Sequence, residues 1–352
     1  MWQGIYGHDD VAERFRRTLA RGRLASTYLF VGPPGIGKRR FALELARALL
    51  CTRNDDAELE ACGQCESCRL FAAGNHPDLE VLGLPPDKAT LPIALFIGDK
   101  EHRNQQGLCH RISLRPFLSH RRIAIIDDAD HFSLESANCL LKTLEEPPAH
   151  SLLILIGTSP SRQLPTIRSR AQVVRFMPLA SAELAQVLLE NSLTTDSEQA
   201  ARMAKFGEGS VQRAVAQADP ALWEFRQQLF RDLAAVRPDS ARMARAVQAF
   251  MDEAGDEPAQ KRDRLRAIVS FAIDFYRLQL QCLGAAGAEG DPLYRSPITG
   301  EHARSHLDPD IAVRAIDRCL DTLEQVDRNA NLGLVVQAWC EDITDLTMVP
   351  GA

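Results

Sequence analysis

Gly32, Gly35, Gly37 and Lys38, in the stretch GPPGIGK, are spaced as G-x-x-x-x-G-K. Glycines at these places let backbone N–H groups curl round phosphate oxygens, and the lysine adds a positive charge for the same anion. The pattern then breaks. A Ser or Thr should follow, its hydroxyl holding Mg²⁺, and this chain has Arg39. A loop that can hold phosphate is thus short of a group needed to hydrolyse it, and the same glycines would also serve a turn with no ligand. Asp127 and Asp128 follow the apolar run RIAII, where a carboxylate of a phosphate-loop protein meets Mg²⁺. A water-activating carboxylate at Asp128 would be a methylene shorter than Glu; a solvated acidic turn is the alternative, and the pairing with Lys38 favours the phosphate-site origin. Thr158, at the end of LLILIGT, is placed either to sense a γ-phosphate or to cap a strand.

A second group is Cys51, Cys62, Cys65 and Cys68, in the form C-x10-C-x2-C-x2-C. Four thiolates so spaced suit tetrahedral Zn²⁺ in a closed, structural site; buried free thiols are the alternative, and disulfides do not suit a reducing compartment. Cys109, Cys139, Cys282, Cys319 and Cys340 are scattered through apolar patterns and read as small core residues. Arg168 and Arg170, in LPTIRSRAQ, are either a solvated pair or a source of a guanidinium that reaches a neighbouring subunit's nucleotide.

These residues need elements to position them. Tyr28 to Val31 reads as a strand entering the loop, and Phe41, Leu45 and Leu49 mark the helix that leaves it. Val11, Phe15 and Leu19 place a helix between Ile5 and Leu24. It either packs or brings backbone near an adenine. Strands are expected over Asp78 to Leu82, Arg122 to Ile126 and Leu152 to Thr158, and a proline-stopped helix over Asn138 to Pro148. Leu84 to Asp99, rich in Pro and Gly, reads as a loop or insertion. Helices follow over Ser181 to Asn191 and Ser197 to Ala218, and a third carries Leu265, Ile268, Val269, Ala272 and Tyr276. Ala285 to Gly300 reads as a loop.

Composition agrees with a soluble, globular, multidomain chain: 352 residues, 45% hydrophobic, 25% charged, formal net charge −6. No stretch approaches the roughly 20 apolar residues of a membrane span, and the N-terminus lacks the pattern of a secretory signal, so a cytoplasmic location is expected. Net acidity argues against a wholly nucleic-acid-binding surface and leaves DNA contact to local patches or partners.

GPPGIGK at 32–38, the four cysteines, GNHPD at 74–78, IIDDAD at 125–130, ANCLLKTLEEPP at 137–148, IRSR at 167–170 and, more weakly, RNAN at 328–331 together resemble the delta-prime subunits of the bacterial DNA polymerase III clamp loader. These are AAA+ proteins related to the gamma/tau subunits. The resemblance implies an α/β AAA+ core with a parallel sheet of phosphate-loop type and a four-cysteine zinc module at 51–68, spanning residues 1–178. A small helical lid over 179–220 and an all-α collar over 221–352 that oligomerises in a five-subunit ring would follow.

The same resemblance implies that Cys51, Cys62, Cys65 and Cys68 hold zinc and that Arg170 matches the arginine of the family's Ser-Arg-Cys motif, which serves the ATP site of an adjacent gamma/tau subunit. Here the motif reads Ser169-Arg170-Ala171, so its cysteine is missing. The implied function is a scaffold subunit that completes the ring with gamma/tau and delta subunits, donates Arg170, and helps load the sliding clamp on primer-template DNA. A degenerate site of Gly32, Gly35, Gly37, Lys38, Asp127, Asp128 and Thr158 would hold ATP or ADP without hydrolysis. The alternative is an ATP-hydrolysing gamma/tau-like subunit. Arg39 argues against it, as does Gly209-Ser210-Val211-Gln212-Arg213, where the arginine of the gamma/tau sensor segment comes one residue late, a rotation of about 100° on a helix.

Overall fold

Strands β1 (Thr27–Val31), β2 (Leu79–Leu82), β3 (Arg122–Ile126), β4 (Ser151–Gly157) and β5 (Gln172–Arg175) form one parallel sheet in the order β2-β3-β4-β1-β5. The three central strands are almost continuously apolar because both faces are covered. Tyr28, Phe30, Ile123, Ile125, Leu152, Ile154 and Ile156 enter one core; Leu29, Val31, Ala124, Ile126, Leu153 and Leu155 enter the other. The alternation is that of a pleated strand. The first core is closed by α1 (Asp9–Ala20) and α2 (Lys38–Leu50), the second by α5 (Leu108–Ser113) and α6 (Leu134–Glu145).

The computed structural model describes residues 1–86, 88–103, 105–216, 219–235, 237–283, 308–328 and 330–347. The chain divides into two units, residues 1–218 and 219–352. Ala285 to Gly300, Asn329 of the RNAN stretch and the side chain of Cys282 lie outside the described residues.

Local sequence explains the element ends. The Ser133 hydroxyl accepts the Ser136 N–H at the start of α6, and α6 stops at Glu145, just before Pro147 and Pro148. The segment Leu84 to Asp99 is not purely loop: α4 (Ala94–Ile97) buries Phe96 and Ile97, and Leu91 bridges to Phe132. Between α3 (Glu66–Ala72) and β3, the Asp78 carboxylate accepts the N–H groups of Phe117, Leu118 and Ser119 at 2.6, 2.8 and 2.9 Å.

After α7 (Pro165–Arg168) and β5, a separate apolar cluster of Leu179, Leu184, Leu188, Ala200, Met203, Ala204 and Ala214 holds α8 (Ser181–Glu190), α9 (Ser197–Phe206) and α10 (Val211–Ala216). The expectation of one helix from Ser197 to Ala218 is corrected here. The chain breaks at Glu208 and Gly209, which take φ values of 46° and 78°, and Gly209 is packed so closely on Pro178 and Leu179 that a side chain would not fit.

The second unit is helical: α11 (Pro220–Leu233), α12 (Ser240–Asp252), α13 (Pro258–Leu283), α14 (Pro309–Asp327) and α15 (Leu332–Thr347). Asp219, Asp239 and Asp308 cap three of them with their carboxylates. Leu265, Ile268, Val269, Ala272 and Tyr276 are all buried on α13, as their spacing requires. Cys319 and Cys340 are buried, and the Trp339 indole N–H donates to Cys319 Sγ at 3.4 Å. No described helix is long and apolar enough to cross a membrane.

Candidate functional site: a phosphate loop and a four-cysteine centre

The loop between β1 and α2 is built on an aromatic floor. Phe176 lies 5.0 Å from Phe30, 5.1 Å from Phe41 and 4.9 Å from the His8 ring between centroids. Gly32 passes so close to the Phe176 carbonyl that a Cβ would collide with it. His8 holds the loop from the side, its Nε2 2.7 Å from the Ile36 carbonyl oxygen; burial pushes the His8 pKa down and favours a neutral ring. Gly37 takes φ 99° and starts α2 with no side-chain cap, so the first N–H groups of a 13-residue helix face the loop.

Lys38 is 7% exposed, and its Nζ donates to the Gly32 and Pro33 carbonyls at 2.6 Å each. Burial lowers its pKa, an effect opposed by Asp127 and Asp130. Arg39 Nη1 stands 3.4 Å from Asp127 Oδ2, at the end of β3, so a guanidinium takes the carboxylate offered to Mg²⁺ in a complete phosphate-loop site. Asp127 Oδ1 accepts the Asp128 N–H, and burial followed by the Asp128 charge raises its pKa. Asp128 turns away at φ 54° to accept the Leu84 N–H at 3.1 Å. The Thr158 hydroxyl donates to Asp130 Oδ2 at 2.5 Å, and Gln163 Nε2 donates to Asp130 Oδ1 at 2.6 Å. Asp130 and Gln163 were not singled out from sequence; IIDDAD offered the only signal. These residues do not fit a divalent ion.

Beside Gly35 and Gly37 opens a cavity of about 380 Å³, walled by Ile5, Tyr6, Leu179, Val187, Asn191 and Leu193, a volume within the range of small-molecule sites. Residues 4–6, ahead of α1, line this cavity, whereas Val11, Phe15 and Leu19, which marked the helix in the sequence, pack into the first core. The Val211 N–H donates to the Gly35 carbonyl at 2.9 Å. Arg213, on the same helix, pairs with Glu208.

Arg170 lies on the other side of the sheet's length. It precedes β5, whose Gln172 is level with Tyr28 and whose Arg175 is level with Val31, so Arg170 sits by the start of β1 and the loop by its end. Arg170 has no acid nearby in sequence but gains one in the fold. Its Nη2 donates to Glu145 Oε1 at 2.6 Å, and its Nη1 to the Thr166 carbonyl at 2.9 Å. Arg168 is exposed with no acidic partner among the described residues.

The four sulfurs of Cys51, Cys62, Cys65 and Cys68 lie within 4.8 Å of one another, and Cys62 and Cys68 are 4.0 Å apart. Tetrahedral Zn²⁺ with bonds of about 2.3 Å needs sulfurs about 3.8 Å apart, so the donor set fits zinc. Backbone N–H groups of Cys62, Cys65 and Cys68 point at Cys51, Cys62 and Cys65 sulfurs, at 3.3–3.4 Å. Burial opposes ionisation of Cys65, but donation from Thr52 and Cys68 outweighs it and brings the thiol to about 6. Burial, reinforced by the hydrogen bond with Cys65, pushes Cys68 to about 12. A bound cation would ionise both.

Residues 7–180 match the family described as DNA polymerase III, delta subunit. Over 180 residues the chain is 38% identical to the DNA polymerase III subunit delta' of Pseudomonas aeruginosa, covering 51% of either chain. It is 28% identical to the subunit tau/gamma of Haemophilus influenzae over 62% of this chain and 30% of the relative. The chain thus spans about half the length of the delta' relative it matches. A crystal structure of a DNA polymerase III gamma subunit-related protein from Thermotoga maritima aligns with 95% of this chain and 99% of its own, at 15% identity and a TM-score of 0.39.

Proposed function

We propose that the chain is a delta-prime-like clamp-loader subunit that does not hydrolyse ATP itself, because residues 7–180 match the family described as DNA polymerase III, delta subunit, and are similar to delta' subunits. In this role a core over 1–178, a lid over 179–220 and an oligomerising collar over 221–352 complete a cytoplasmic AAA+ ring with gamma/tau and delta subunits. The assembled complex places a sliding clamp on primed DNA. Cys51, Cys62, Cys65 and Cys68 hold a structural zinc. Gly32, Gly35, Gly37 and Lys38, with Asp127, Asp128 and Thr158 alongside, form a nucleotide site without turnover.

The observation that carries the reading is the contact between Arg39 and Asp127. A hydrolytic site of this type needs Mg²⁺ between a loop hydroxyl and this carboxylate; here neither is available to the ion. What the chain retains is Arg170, at the far end of β1 from its own loop. Five residues of strand span about 17 Å, beyond the reach of an arginine side chain, so any nucleotide Arg170 serves belongs to a neighbour. A planar cation there neutralises charge developing on a transferred phosphoryl group.

The test is DNA- and clamp-stimulated ATP hydrolysis by a reconstituted complex carrying Arg170→Ala. An arginine finger contributes about 10³–10⁵ in rate in small GTPases, but a ring with several ATP sites loses only the share of the site this subunit completes. A partial loss with assembly intact is expected, and Arg168→Ala should do less. An unchanged rate in an assembled complex refutes the role in trans.

A further inference from the structure

We infer that the phosphate loop binds a nucleoside di- or triphosphate without a divalent cation, the Arg39 guanidinium standing in for the ion. The inference rests on the reading of the loop as a nucleotide site given above and adds what governs its affinity. Mg²⁺ demands oxygen ligands in near-ideal octahedral geometry at about 2.0–2.1 Å. Around this loop those oxygens are committed: residue 39 brings no hydroxyl, Asp127 Oδ2 faces Arg39 Nη1 at 3.4 Å, Asp127 Oδ1 accepts the Asp128 N–H, and the Thr158 hydroxyl gives its proton to Asp130. An ion entering beside Asp127 would also meet the permanent charge of the guanidinium.

The same geometry serves a bare polyphosphate. The Arg39 side chain is 60% exposed at the start of α2, with one edge 3.4 Å from Asp127 Oδ2. Arginine presents a rigid fork that matches phosphate oxygens. The uncapped start of α2 and the buried Lys38 add to the positive field. Lys38 Nζ, now on the Gly32 and Pro33 carbonyls, exchanges these for phosphate oxygens on binding. The loop itself is preformed, braced by His8 against Ile36 and by Val211 against Gly35. The apolar walls of Ile5, Leu179, Val187 and Leu193 receive the base, and Tyr6, Arg40 and Asn191 give the cavity its polar rim, Arg40 Nη1 donating to Asn191 Oδ1 at 3.3 Å.

The test titrates the full chain with fluorescent N-methylanthraniloyl ADP and ATP, in magnesium and in excess EDTA, reading anisotropy. Wild type is expected to bind equally in both, within about threefold, whereas Arg39→Thr restores the metal's hydroxyl and should bind at least about tenfold tighter in magnesium than in EDTA. Arg39→Gln, which keeps length without charge, should lose about tenfold or more in EDTA, and Lys38→Ala should lose about as much in both buffers. Circular dichroism and zinc content confirm that each variant is folded. Wild-type binding that collapses in EDTA overturns the inference, as does Arg39→Thr binding indifferent to magnesium. No binding by wild type in either buffer overturns it too, and leaves the role of Arg170 in an assembled ring untouched.

Discussion

Replacing Asp78 by Ala tests how the four-cysteine module is joined to the sheet. The Asp78 side chain is fully buried beside Arg122, 3.7 Å away, and takes three consecutive amides from the Phe117–Ser119 loop. The contact extends further: the Ser119 hydroxyl donates to the Leu50 carbonyl, which also receives Ser67, and His76 Nε2 lies 2.8 Å from Ser67 Oγ. Leu50 precedes Cys51 and Ser67 precedes Cys68, two of the four clustered cysteines. Each buried amide left without an acceptor costs about 1–3 kcal/mol; because Phe117 itself is 82% exposed, water reaches part of the loop and the lower end applies, about 3 kcal/mol in all. At about 1.4 kcal/mol per tenfold, backbone amides at 117–119 should exchange with deuterium about a hundred times faster in Asp78→Ala. Asp78→Asn keeps one acceptor oxygen and should fall between. Hydrogen exchange of the peptide covering 114–120 gives the answer, and a change below about fivefold would refute this account of the loop.

Acid should reproduce the effect in wild type. Burial alone would raise the Asp78 pKa, but the Phe117, Ser119 and Leu118 amides and Arg122 outweigh it and hold it below its ordinary 3.8. Its contribution is therefore full above 3.8 and disappears as pH falls through the lower, folded value, which amide exchange across that window would register. Freshly purified protein should carry about one zinc per chain, and Cys65→Ser should lower the melting temperature by about 5–10 °C; metal analysis finding no zinc would remove the four-cysteine assignment. Arg39→Thr restores one missing group but leaves Asp128 turned towards Leu84, so phosphate release by the isolated variant should stay far below the ~1–10³ s⁻¹ of ordinary enzymes. Gly35→Ala should cost about 1–3 kcal/mol in urea denaturation, since Gly35 takes φ 73° and its new Cβ would run into Ser210; an unchanged midpoint would mean that α10 does not press on the loop.

Much of the core was legible because its signals are local. Strands buried on both faces leave apolar runs such as RIAII and LLILIG, and glycines followed by lysine at the end of one imply a loop of a single kind. The four cysteines carried their geometry in their spacing. What stayed hidden depends on where distant elements meet. Glu145 reaches Arg170 because two prolines halt α6 at that residue and the turn after α7 brings the arginine back to it, a meeting of groups 25 residues apart that no periodicity encodes. Asp130, the last acid of IIDDAD, is the acceptor that fixes Thr158 and Gln163, which come to it from 28 and 33 residues along the chain. His76 and Asp78 stood out in GNHPD without a role, since their partners lie in segments before and after β2. The break between α9 and α10 escaped because Glu208 adopts a left-handed backbone under pressure from packing, against its own preference.

The parallel register of β1 and β5 has a consequence for assembly. With a phosphate loop at one end of a strand pair and Arg170 at the other, a contact that joins the two between molecules links opposite ends, and when it repeats head-to-tail it generates rings or filaments. In the proposed role, a chain that offers the arginine end in working order and the loop end disarmed gives such a ring a direction. On the proposed reading, one junction in each circuit is silent by construction, and the order in which the remaining junctions fire has a fixed starting point.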